Sequence, residues 1–402
     1  MPKGKKAQEG QPSLPLREGP LLMLIDGHAL VHRAWHAIQQ PLSVRKTGEE
    51  VRAVFGFAST FLKALSEWNP THVAIAFDLP APTFRHRAYE AYKAQRPAAP
   101  PELRQQFLRV RQMTAAFGVP IYEVEGYEAD DVLATLASQA EEGGLETVIL
   151  TGDTDTLQAV SPTVRVLLHY RIQERVVYDE AQVRERYGGL TPAQLPHLKA
   201  LRGDPTDNIP GVPGVGEKTA IKLLLEYGTV AGVYQNLEKL SPALKEALES
   251  HREQVLRGLE LCSLVREVPV KLDLEASRFG RFDRRQVIDL FRDLEFFSLV
   301  GRVPEGEVFL ATAPATPVKV ETVETQYATV DTPEALQALE EELASAPLFT
   351  FDLETTGIDP MGSEVVGLSV ATAPGRASYI PVGHTEGKQL PLSRVLEALR
   401  PL

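Results

Sequence analysis

The sequence predicts an α/β protein whose first domain is built on a parallel β-sheet. Four short apolar runs alternate with helical patterns, which is typical of parallel strands joined by helices. These runs are Leu21–Ile25, His72–Phe77, Thr147–Leu150 and Val164–Leu168. Acidic residues follow three of the runs. Ligands of doubly wound sheets bind at the carboxyl ends of the strands, so we expect the functional site there, with helices on both faces of the sheet.

The helices and the first domain boundaries are predicted from periodicity and from Gly and Pro. Helical patterns occupy Val51–Leu65, Glu102–Phe117 and Glu128–Glu142. Together with the strands they define a core over residues 21–190, preceded by a short disordered tail over residues 1–20. Residues 191–300 contain short helical stretches broken by Gly and Pro, and we expect a helical subdomain there.

A second α/β segment is predicted after a linker. Residues 301–327 are rich in Pro, Thr and Glu, as linkers often are. Within residues 328–402 we expect a helix around Pro333–Ala344 and a strand at Leu348–Asp352, about three strands and two helices in all.

Composition excludes several classes of protein. The chain has 402 residues, a length that suits two or three domains. No apolar run reaches the roughly 18–20 residues of a membrane span, and the first residues lack the apolar core of a secretory signal. The single cysteine, Cys262, excludes an internal disulfide and a cysteine-built zinc site. We expect a cytoplasmic protein with no membrane partner.

The net charge of −12 argues at first against a nucleic-acid partner, but its distribution does not. Residues 302–402 carry −9 and residues 1–301 only −3. Nine acids of the longer segment belong to the constellation described next, and the rest of that segment has a net charge of +6. A basic surface around an acidic pocket is therefore compatible with the sequence.

Acidic residues cluster where the predicted site should be. Asp26 and Asp78 end two apolar runs, and Asp153 and Asp155 follow a third. A single acid after a strand is usually a helix cap or turn former, but three such runs in one domain make that reading insufficient. The spacing of two predicts that the last pair shares a direction if the strand continues through it.

Two further acidic groups lie outside the strands. Glu128, Asp130 and Asp131 open a predicted helix, where acids favour the helix dipole. Three acids in four residues exceed what a helix start requires, and their mutual repulsion is costly without a cation. Asp204 and Asp207 would share a face of a helical turn, and their alternative is a solvated loop.

The chemistry of these acids predicts hard divalent cations. The set contains only oxygen ligands, which suit Mg²⁺ or Mn²⁺. It comprises Asp26, Asp78, Glu128, Asp130, Asp131, Asp153, Asp155, Asp204 and Asp207. Two such ions roughly 3.5–4 Å apart can activate a water and stabilise the leaving oxygen of a phosphodiester.

Residues 84–111, called the arch segment below, combine basic and aromatic side chains. They carry seven Lys and Arg against two acids, and Tyr89 and Tyr92 lie among Arg85, Lys93 and Arg96. Basic groups neutralise phosphates and aromatic faces stack on exposed bases, which indicates nucleic-acid binding. The alternative is a solvated amphipathic helix followed by a Pro-rich turn.

A Gly-rich loop follows the last acid pair. Residues 209–218 read IPGVPGVGEK, and Gly211, Gly214 and Gly216 permit close approach of a ligand to the backbone. The N-terminus of the helix that follows, near Lys218, suits a phosphate. The alternative is a plain connector between two helices.

Taken together, these motifs resemble the 5′ nuclease domain of bacterial DNA polymerase I, within the flap endonuclease superfamily. The resemblance covers about Leu21 to Val300 and depends on five segments in the family's order. They are LIDGHAL, AFDLPAPTFRHRAYEAYKAQR, GYEADDVLATLA, TGDTDTLQ and GDPTDNIPGVPGVGEKTA. It implies a PIN-like core with a helical arch, a helix-hairpin-helix subdomain, and all nine acids above as metal ligands for two ions.

The resemblance also implies roles for the cationic and aromatic residues. Arg85 and Lys93 would face the scissile phosphate, and Arg33, Tyr92 and Arg96 would contact the threaded strand or a flap base. Residues 211–218 would grip duplex phosphates through Gly211, Gly214, Gly216 and Lys218, with a K⁺ ion bound there. One departure is His32, where relatives often have Tyr.

The C-terminal segment resembles the beginning of an RNase H-like 3′–5′ exonuclease domain. Its motif TFDLETTGIDP places Asp352 and Glu354 on one strand. The family's further metal-binding acids are expected beyond Leu402, so we expect an incomplete second site. The chain reads as the N-terminal portion of a polymerase whose polymerase domain is absent.

The sequence therefore predicts a Mg²⁺-dependent 5′–3′ exonuclease and flap endonuclease, acting on flapped, nicked or gapped DNA in replication and repair. We expect a monomer associated with the nucleoid of a bacterial cytoplasm. The alternatives are a DNA-binding module that does not cut and a small PIN-type RNase. The full acid set opposes the first, and the arch segment and Gly-rich loop oppose the second.

Overall fold

A computed structural model describes residues 19–96, 99–171, 174–306, 326–346, 348–356, 363–373 and 376–401. The chain forms two compact units, Met1–Ala311 and Thr312–Leu402, which are described separately. Nearly all of the predicted tail, and residues 307–325 of the predicted linker, lie outside the described residues. No helix in the described ranges is both long enough and apolar enough to cross a membrane.

The first unit is organised around a six-stranded sheet with the order β3-β2-β1-β4-β5-β6. The strands are β1 (Leu21–Asp26), β2 (His72–Ala76), β3 (Ile121–Tyr122), β4 (Glu146–Thr151), β5 (Val164–Arg171) and β6 (Glu174–Tyr178). Strands β1 to β5 are parallel: β1, β2, β4 and β5 match the four predicted runs, whereas the two-residue β3 was not predicted. Strand β6 is antiparallel to β5 and was not predicted, because only two apolar residues, Val176 and Val177, interrupt its polar sequence.

Helices cover both faces of this sheet. They are α1 (Gly27–Ala37), α2 (Arg52–Trp68), α3 (Phe84–Ala88), α4 (Pro101–Ala116), α5 (Ala129–Glu142) and α6 (Glu180–Arg186). Alternate residues of β1 point to opposite faces, as the pleat of a strand requires. Met23 and Ile25 pack with α1, α2 and α4, whereas Leu22 and Leu24 pack with α5. Strand β1 is buried throughout because both faces are covered.

A helical region follows the sheet, as predicted. It comprises α7 (Leu195–Arg202), α8 (Glu217–Tyr227), α9 (Val230–Gln235), α10 (Pro242–Ser250), α11 (Arg252–Cys262), α12 (Leu274–Ser277), α13 (Arg284–Asp293) and α14 (Phe297–Val300). Helices α7 to α11 share a core of their own. The chain then returns to the sheet layers: Val268 and Leu272 pack beside α5, and Phe291 and Phe296 pack beside α2 and α4.

The second unit is a four-stranded sheet with two helices. It contains β7 (Gln326–Thr329), α15 (Pro333–Ser345), β8 (Thr350–Thr355), β9 (Val365–Ala373), β10 (Arg376–Pro381) and α16 (Leu392–Leu399). The strand order is β7-β10-β9-β8, with β8 at an edge. The two expected helices are present, but the described residues hold one strand more than the expected three. The extra strand, β7, begins within the predicted linker and is short and exposed, so it gives little hydrophobic signal.

Candidate active site

Three neighbouring parallel strands deliver acids to one edge of the sheet. Asp26 is the last residue of β1, and Asp78 and Asp153 follow β2 and β4 within two residues. Strand β1 lies between the other two, so these acids converge at the carboxyl edge. With Asp130, in the first turn of α5, they form what we call the sheet cluster.

Two of these acids bond to the first turn of a helix. Asp26 caps α1, since one carboxylate oxygen accepts the amide of Ala29 at 2.8 Å and the other accepts the Thr151 hydroxyl at 2.7 Å. Asp78 accepts the amide of Ala129, the first residue of α5, at 2.7 Å, although the N-cap of α5 is Glu128. The capping role expected of an acid after a strand is therefore real for Asp26, and the hydrogen bonds fix the orientation of both side chains.

The sheet cluster is crowded with negative charge. Asp26 is 3% exposed, and its burial, with the charges of Asp78 and Asp153, raises its pKa to about 7 against the effect of its hydrogen bonds. The pKa of Asp130 is raised well above its ordinary value, first by burial and then by the neighbouring carboxylates. A cation bound between Asp130 and the neighbouring carboxylates would stabilise their charged forms and remove the repulsion among them.

One atom shows directly where that cation fits. Oδ1 of Asp130 is buried and has no hydrogen-bond partner in the structure. A buried carboxylate oxygen without a partner is costly, because it has lost its water and gained nothing in exchange. An oxygen donor set with such an orphaned atom fits a hard divalent ion.

A second group, called the turn cluster, consists of Asp155, Asp204 and Asp207. One carboxylate oxygen from each lies within 4.8 Å of the others, which is close enough to share an ion. Asp155 opens a short 3₁₀ helix, and Asp204 and Asp207 lie in a turn closed by two 2.8 Å backbone hydrogen bonds between Asp204 and Ile209.

The local expectations for these acids had different outcomes. The alignment of Asp153 with Asp155 depended on a strand that continues through both, and strand β4 ends at Thr151, so that condition is not met. Asp204 and Asp207 lie beyond the end of α7 at Arg202, in a turn where the amide of Asp207 donates to the Asp204 carbonyl at 3.3 Å. This three-residue turn brings their carboxylates together, as the spacing predicted.

Lys199, on α7, neutralises the turn cluster and was missed by sequence reasoning. Its ammonium group contacts the carboxylate of Asp155 and lies 2.6 Å from Asp204 Oδ2. Burial opposes ionisation of Asp204, but Lys199 outweighs it and lowers the pKa of that carboxyl. At Asp155, burial and the negative charge of Asp153 have a larger effect than the positive charge of Lys199, so the pKa of this carboxyl is raised to about 7. The available signal was weak: a lysine five residues before an acid, in the last turn of a helix.

The arch segment closes over the remaining acids. Lys93 Nζ donates to Glu128 Oε1 at 2.9 Å, and Arg96 donates to Asp207 at 2.6 Å. The hydroxyl of Tyr92 lies 3.1 Å from both Glu128 and Asp207. These contacts place the base of the arch segment, Tyr89–Arg96, directly against the turn cluster.

Backbone contacts hold the same two segments together. The amide of Lys93 donates to the Asp207 carbonyl at 3.1 Å, and the side chain of Asn208 donates to the Ala91 carbonyl at 2.8 Å. Lys93 has a φ of 54°, in the left-handed region that costs a non-glycine residue energy. The surrounding contacts thus hold Lys93 in a conformation that it would not adopt alone.

Arg85 and Tyr92 lie differently from what the resemblance implies. Arg85 is 2% exposed, forms paired hydrogen bonds of 2.6 and 2.8 Å with Asp131, and also donates to the carbonyls of Leu261 and Ser263. Tyr92 is 3% exposed and packs against Ile209. Neither lines the open cleft, because both are occupied in joining the arch segment to the elements around it.

Asp131 also differs from its neighbours in the acid set. It is fully buried, and besides Arg85 it accepts the amides of Val265 at 2.9 Å and Glu128 at 3.2 Å. Its position on α5, one residue after Asp130, turns it away from the sheet cluster and into the fold. The structure therefore gives Asp131 a scaffolding role.

A cleft of about 1670 Å³ opens beside the sheet cluster. Residues from α1, the arch segment and the start of α5 line it, including His28, His32, Arg33, His36, Asp78, Lys93, Arg96, Asp130 and Asp153. Arg33 donates to the Gly152 carbonyl at 3.1 Å. The cleft thus brings cations and aromatic rings to the same space as the acids.

Three histidines form a row on α1 along this cleft. The rings of His28 and His32 lie 4.8 Å apart between centroids, and those of His32 and His36 lie 6.5 Å apart. Burial, with the charges of the other two histidines, lowers the pKa of His32 to about 4. The ring of His32 is therefore neutral at pH 7. The spacing of four residues was the available signal for this row.

One glycine of the Gly-rich loop is required for packing, whereas others are exposed. A side chain on Gly211 would overlap the carbonyl group of Arg202, so this glycine is required for packing. Gly214 has a φ of 82° and faces open space. Gly216 precedes α8, and Lys218 is exposed in its first turn. The exposed part of the loop can therefore approach a ligand.

The two acids of the second unit are placed as predicted but lack a cluster. Asp352 and Glu354 lie on edge strand β8, and both are exposed. Oδ1 of Asp352 accepts the amide of Leu353 at 2.9 Å. Neither belongs to a group of metal-ligating side chains in the part of the second unit that is described.

The fold and the acid-lined cleft define an α/β nuclease domain. Family models agree: residues 21–188 match the 5′-3′ exonuclease N-terminal resolvase-like domain, residues 190–285 its C-terminal SAM fold, and residues 327–402 a 3′-5′ exonuclease domain. The chain therefore belongs to the 5′–3′ exonuclease family of bacterial DNA polymerase I.

Curated relatives share this assignment. DNA polymerase I of Chloroflexus aurantiacus is 42% identical over 411 residues, which cover 95% of this chain and 44% of that protein. DNA polymerase I of Bacillus caldotenax is 43% identical over 284 residues, which cover 70% of this chain and 32% of that protein. The chain spans less than half the length of these relatives.

Solved structures share the fold. The bacteriophage T5 flap endonuclease, crystallised with DNA and metal ions, has a TM-score of 0.50 at 20% identity, covering 70% of this chain and 96% of that chain. The zinc-bound T5 5′-exonuclease has the same TM-score and identity and is covered to 99%.

Proposed function

We propose that this chain is a Mg²⁺-dependent 5′–3′ exonuclease and flap endonuclease that hydrolyses DNA by two-metal catalysis. One observation supports this above the rest. Acids from three parallel strands and a helix N-terminus converge on a cleft, and a buried, unpartnered oxygen of Asp130 faces them. An arrangement of this kind is unfavourable without a cation and well suited to one.

The donor set divides naturally between two ions. The sheet cluster supplies Asp26, Asp78, Asp130 and Asp153 to one, and the turn cluster supplies its three carboxylates to the other. When bound, such ions lower the pKa of water and neutralise charge on the leaving oxygen. Glu128, at the edge of both clusters, orients Lys93 toward the cleft.

The side chains of the cleft have distinct tasks. Lys93 and Arg96 supply positive charge to a phosphate that approaches the acids, and Arg33 supplies it from α1. The row of His28, His32 and His36 offers stacked and tilted aromatic rings to unpaired bases. Together these groups favour a single strand bound in the cleft.

The Gly-rich loop is proposed to hold the duplex part of the substrate. Its exposed residues Gly214, Gly216 and Lys218 precede or open α8, and α7, which carries Lys199, precedes the loop. Duplex binding and the acid site are therefore linked through one short stretch of chain. A K⁺ ion bound at this loop is part of the proposal, and comparing duplex affinity in potassium and tetramethylammonium salts tests it.

The domain division follows the same evidence. We propose a nuclease core over residues 21–190, a helix-hairpin-helix subdomain over residues 191–300 and an exonuclease-like segment over residues 328–402. The matched family models support these limits. The relatives are DNA polymerases I of bacteria, which supports a role in DNA metabolism as part of a polymerase I. We further propose that this role is in replication and repair, and that the chain acts as a monomer on the DNA of a bacterial cytoplasm.

The test is cleavage of a 5′-flap DNA labelled on the flap strand, in Mg²⁺ and then in EDTA. We expect cutting near the junction that depends on Mg²⁺, and none in EDTA. A matched RNA flap separates a DNA nuclease from a general RNase. Binding of the flap without cutting, or equal cutting in EDTA, would overturn the proposal.

A further inference from the structure

We infer that Lys199 is a resident counter-cation of the turn cluster, which the second divalent ion must displace. The inference rests on the proposed function, since it takes the turn cluster as a metal site. It concerns a residue of this chain whose role the motifs do not reveal.

The first argument is position. The Lys199 ammonium contacts Asp155 and lies 2.6 Å from Asp204, two of the three carboxylates that come within 4.8 Å of one another. A divalent ion bound to the same oxygens would stand where the ammonium now stands. Both cations cannot occupy that position, so each binding event of the ion requires movement of Lys199.

The second argument is contrast with the sheet cluster. Asp26 and Asp130 take part in none of the ion pairs among the described residues, and the ion pair of Asp78 is a 3.7 Å contact with His28. Burial lowers the pKa of His28 against the effect of Asp78, which leaves little positive charge there. Arg33 acts on the fourth member, Asp153, from nearby, but among the described residues no ammonium or guanidinium forms an ion pair with Asp26 or Asp130. The sheet cluster is therefore open to a divalent ion, whereas the turn cluster already holds an ammonium.

The third argument is mobility. Lys199 lies in the last turn of α7, and its long aliphatic stem allows the ammonium to leave while the helix stays in place. The side chain is 14% exposed, so it has a path toward solvent. Displacement therefore needs a change of side-chain rotamers and no rearrangement of the fold.

A consequence for function follows. Without DNA, the ammonium competes with the second ion and keeps its affinity low. A phosphate bound in the cleft adds negative charge and a ligand oxygen, which favours a doubly charged ion over a singly charged ammonium. Lys199 thus couples completion of the metal centre to the arrival of substrate.

The experiment measures metal binding, not cleavage. Isothermal titration of the metal-free full chain with MnCl₂, without DNA and at fixed pH and ionic strength, should resolve one tighter and one weaker ion. In Lys199→Met, which keeps the volume and loses the charge, the weaker dissociation constant should fall by at least about tenfold, because a unit charge at contact distance has been removed. The tighter constant should stay within about twofold.

Matched variants keep the result interpretable. Lys245→Met removes the same charge from a surface ion pair with Glu238 and should leave both constants unchanged. Lys199→Arg keeps a cation and should leave the second ion weak. If Lys199→Met misfolds, Lys199→Gln takes its place. The inference is then supported when the weaker Mn²⁺ dissociation constant falls in Lys199→Gln and stays unchanged in Lys199→Arg.

The outcomes separate the two claims. An unchanged weaker constant in both Lys199→Met and Lys199→Gln overturns the role of Lys199 and leaves the proposed function intact. Failure of the wild-type chain to bind any Mn²⁺ contradicts the proposed function itself. Loss of the tighter ion in Lys199→Met would show that Lys199 supports the sheet cluster and would also overturn the inference.

Discussion

The two acidic clusters meet the same electrostatic problem in opposite ways. In the sheet cluster, the buried Asp26 and the half-buried Asp130 lie among like charges, and the pKa values of both are raised. In the turn cluster, each carboxylate is bonded to a cation: Asp155 and Asp204 to Lys199, and Asp207 to Arg96. The sheet cluster stores repulsion until a proton or metal arrives, whereas the turn cluster is partly compensated, with Asp155 as its one member whose pKa is still raised, to about 7.

This difference teaches that similar carboxylates acquire their chemistry from their neighbours. Burial without a cation favours the protonated form, whereas a contacting ammonium favours the charged form. The first cluster should therefore bind a divalent ion strongly but with release of protons. The second should bind more weakly, because a cation must be displaced.

The largest expected effect separates the sheet cluster from its surroundings. Asp130→Asn should lower the rate of 5′-flap cleavage by at least about 100-fold. Mutation of a residue that only hydrogen-bonds to a metal ligand already lowers activity about 10–100-fold, and Asp130 is itself a proposed ligand. DNA affinity should persist or rise, since one negative charge has been removed from the cleft. Single-turnover cleavage and fluorescence anisotropy measure the two quantities.

A variant of the turn cluster is the comparison for Asp130→Asn. Asp207→Asn should leave the tighter Mn²⁺ ion in place, whereas Asp130→Asn should remove it. Near-normal turnover in Asp130→Asn, with the tight ion still bound, would break the division into two clusters.

The second prediction concerns two adjacent acids of α5. Asp131→Asn should lower the free energy of unfolding by about 3 kcal/mol or more, because Arg85 would remain buried without its ionic partner. Asp130→Asn should leave the metal-free protein equally stable or more stable, since it relieves repulsion. Urea unfolding in EDTA measures both.

Equal destabilisation by the two substitutions would contradict this assignment. It would mean that Asp131 and Asp130 share one environment, as their adjacency in sequence suggests. The folded metal-free wild type, measured under the same conditions, is the reference for both variants.

The sequence was sufficient to predict the sheet cluster. Asp26, Asp78 and Asp153 each follow an apolar run, and parallel strands must bring their carboxyl ends to the same edge. The helices over residues 51–65, 102–117 and 128–142 were predicted for a similar reason, since their periodicity is local. Local pattern and topology thus determined where these acids lie.

The pairing of charges could not be predicted in the same way. Arg85 and Asp131 are 46 residues apart, and Lys199 and Asp155 are 44 apart. Which cation meets which acid depends on how α7 and the arch segment pack, and periodicity carries no information about that. The family resemblance implies that Arg85 faces the scissile phosphate, whereas in the structure Arg85 is buried and paired with Asp131.

The third prediction uses pH to sharpen the contrast. Asp26 has a pKa near 7 in the fold against 3.8 ordinarily, so the folded state keeps a proton that the unfolded state has lost between those values. Stability of the metal-free protein should therefore fall as pH rises from about 4 to 7, by about 3 kcal/mol. Mg²⁺ should restore it at pH 8.

Thermal melts in EDTA and in Mg²⁺ at pH 5.5 and pH 8 measure this linkage. We expect a larger Mg²⁺ stabilisation at the higher pH, because metal ligands must be deprotonated. The Asp26→Asn variant should show a weaker dependence on pH. A Mg²⁺ effect that is greater at pH 5.5 would contradict the assignment of the raised pKa to Asp26.

The last prediction is that substitution of the two acids of the second unit has no effect on nuclease activity. Asp352 and Glu354 are exposed on edge strand β8, and within the described part of the second unit they lack both the burial of the sheet cluster and its group of neighbouring acids. Hydrolysis of a phosphodiester needs ions held in fixed geometry, which two exposed acids on one strand do not provide. The chain should therefore show no 3′–5′ exonuclease activity.

A 3′-labelled single strand, incubated with Mg²⁺ or Mn²⁺, compares the wild type with Asp352→Ala/Glu354→Ala in the full chain. Both should leave the 3′ end intact, and both should cut a 5′ flap equally well. The double variant is expected to fold normally, because exposed side chains contribute little to stability and their loss also removes repulsion between like charges. Degradation from the 3′ end that disappears in the double variant would show that exposed acids can assemble a working site. In that event the burial and crowding of the sheet cluster would not be what makes it a metal centre, and the comparison between clusters would lose its physical basis.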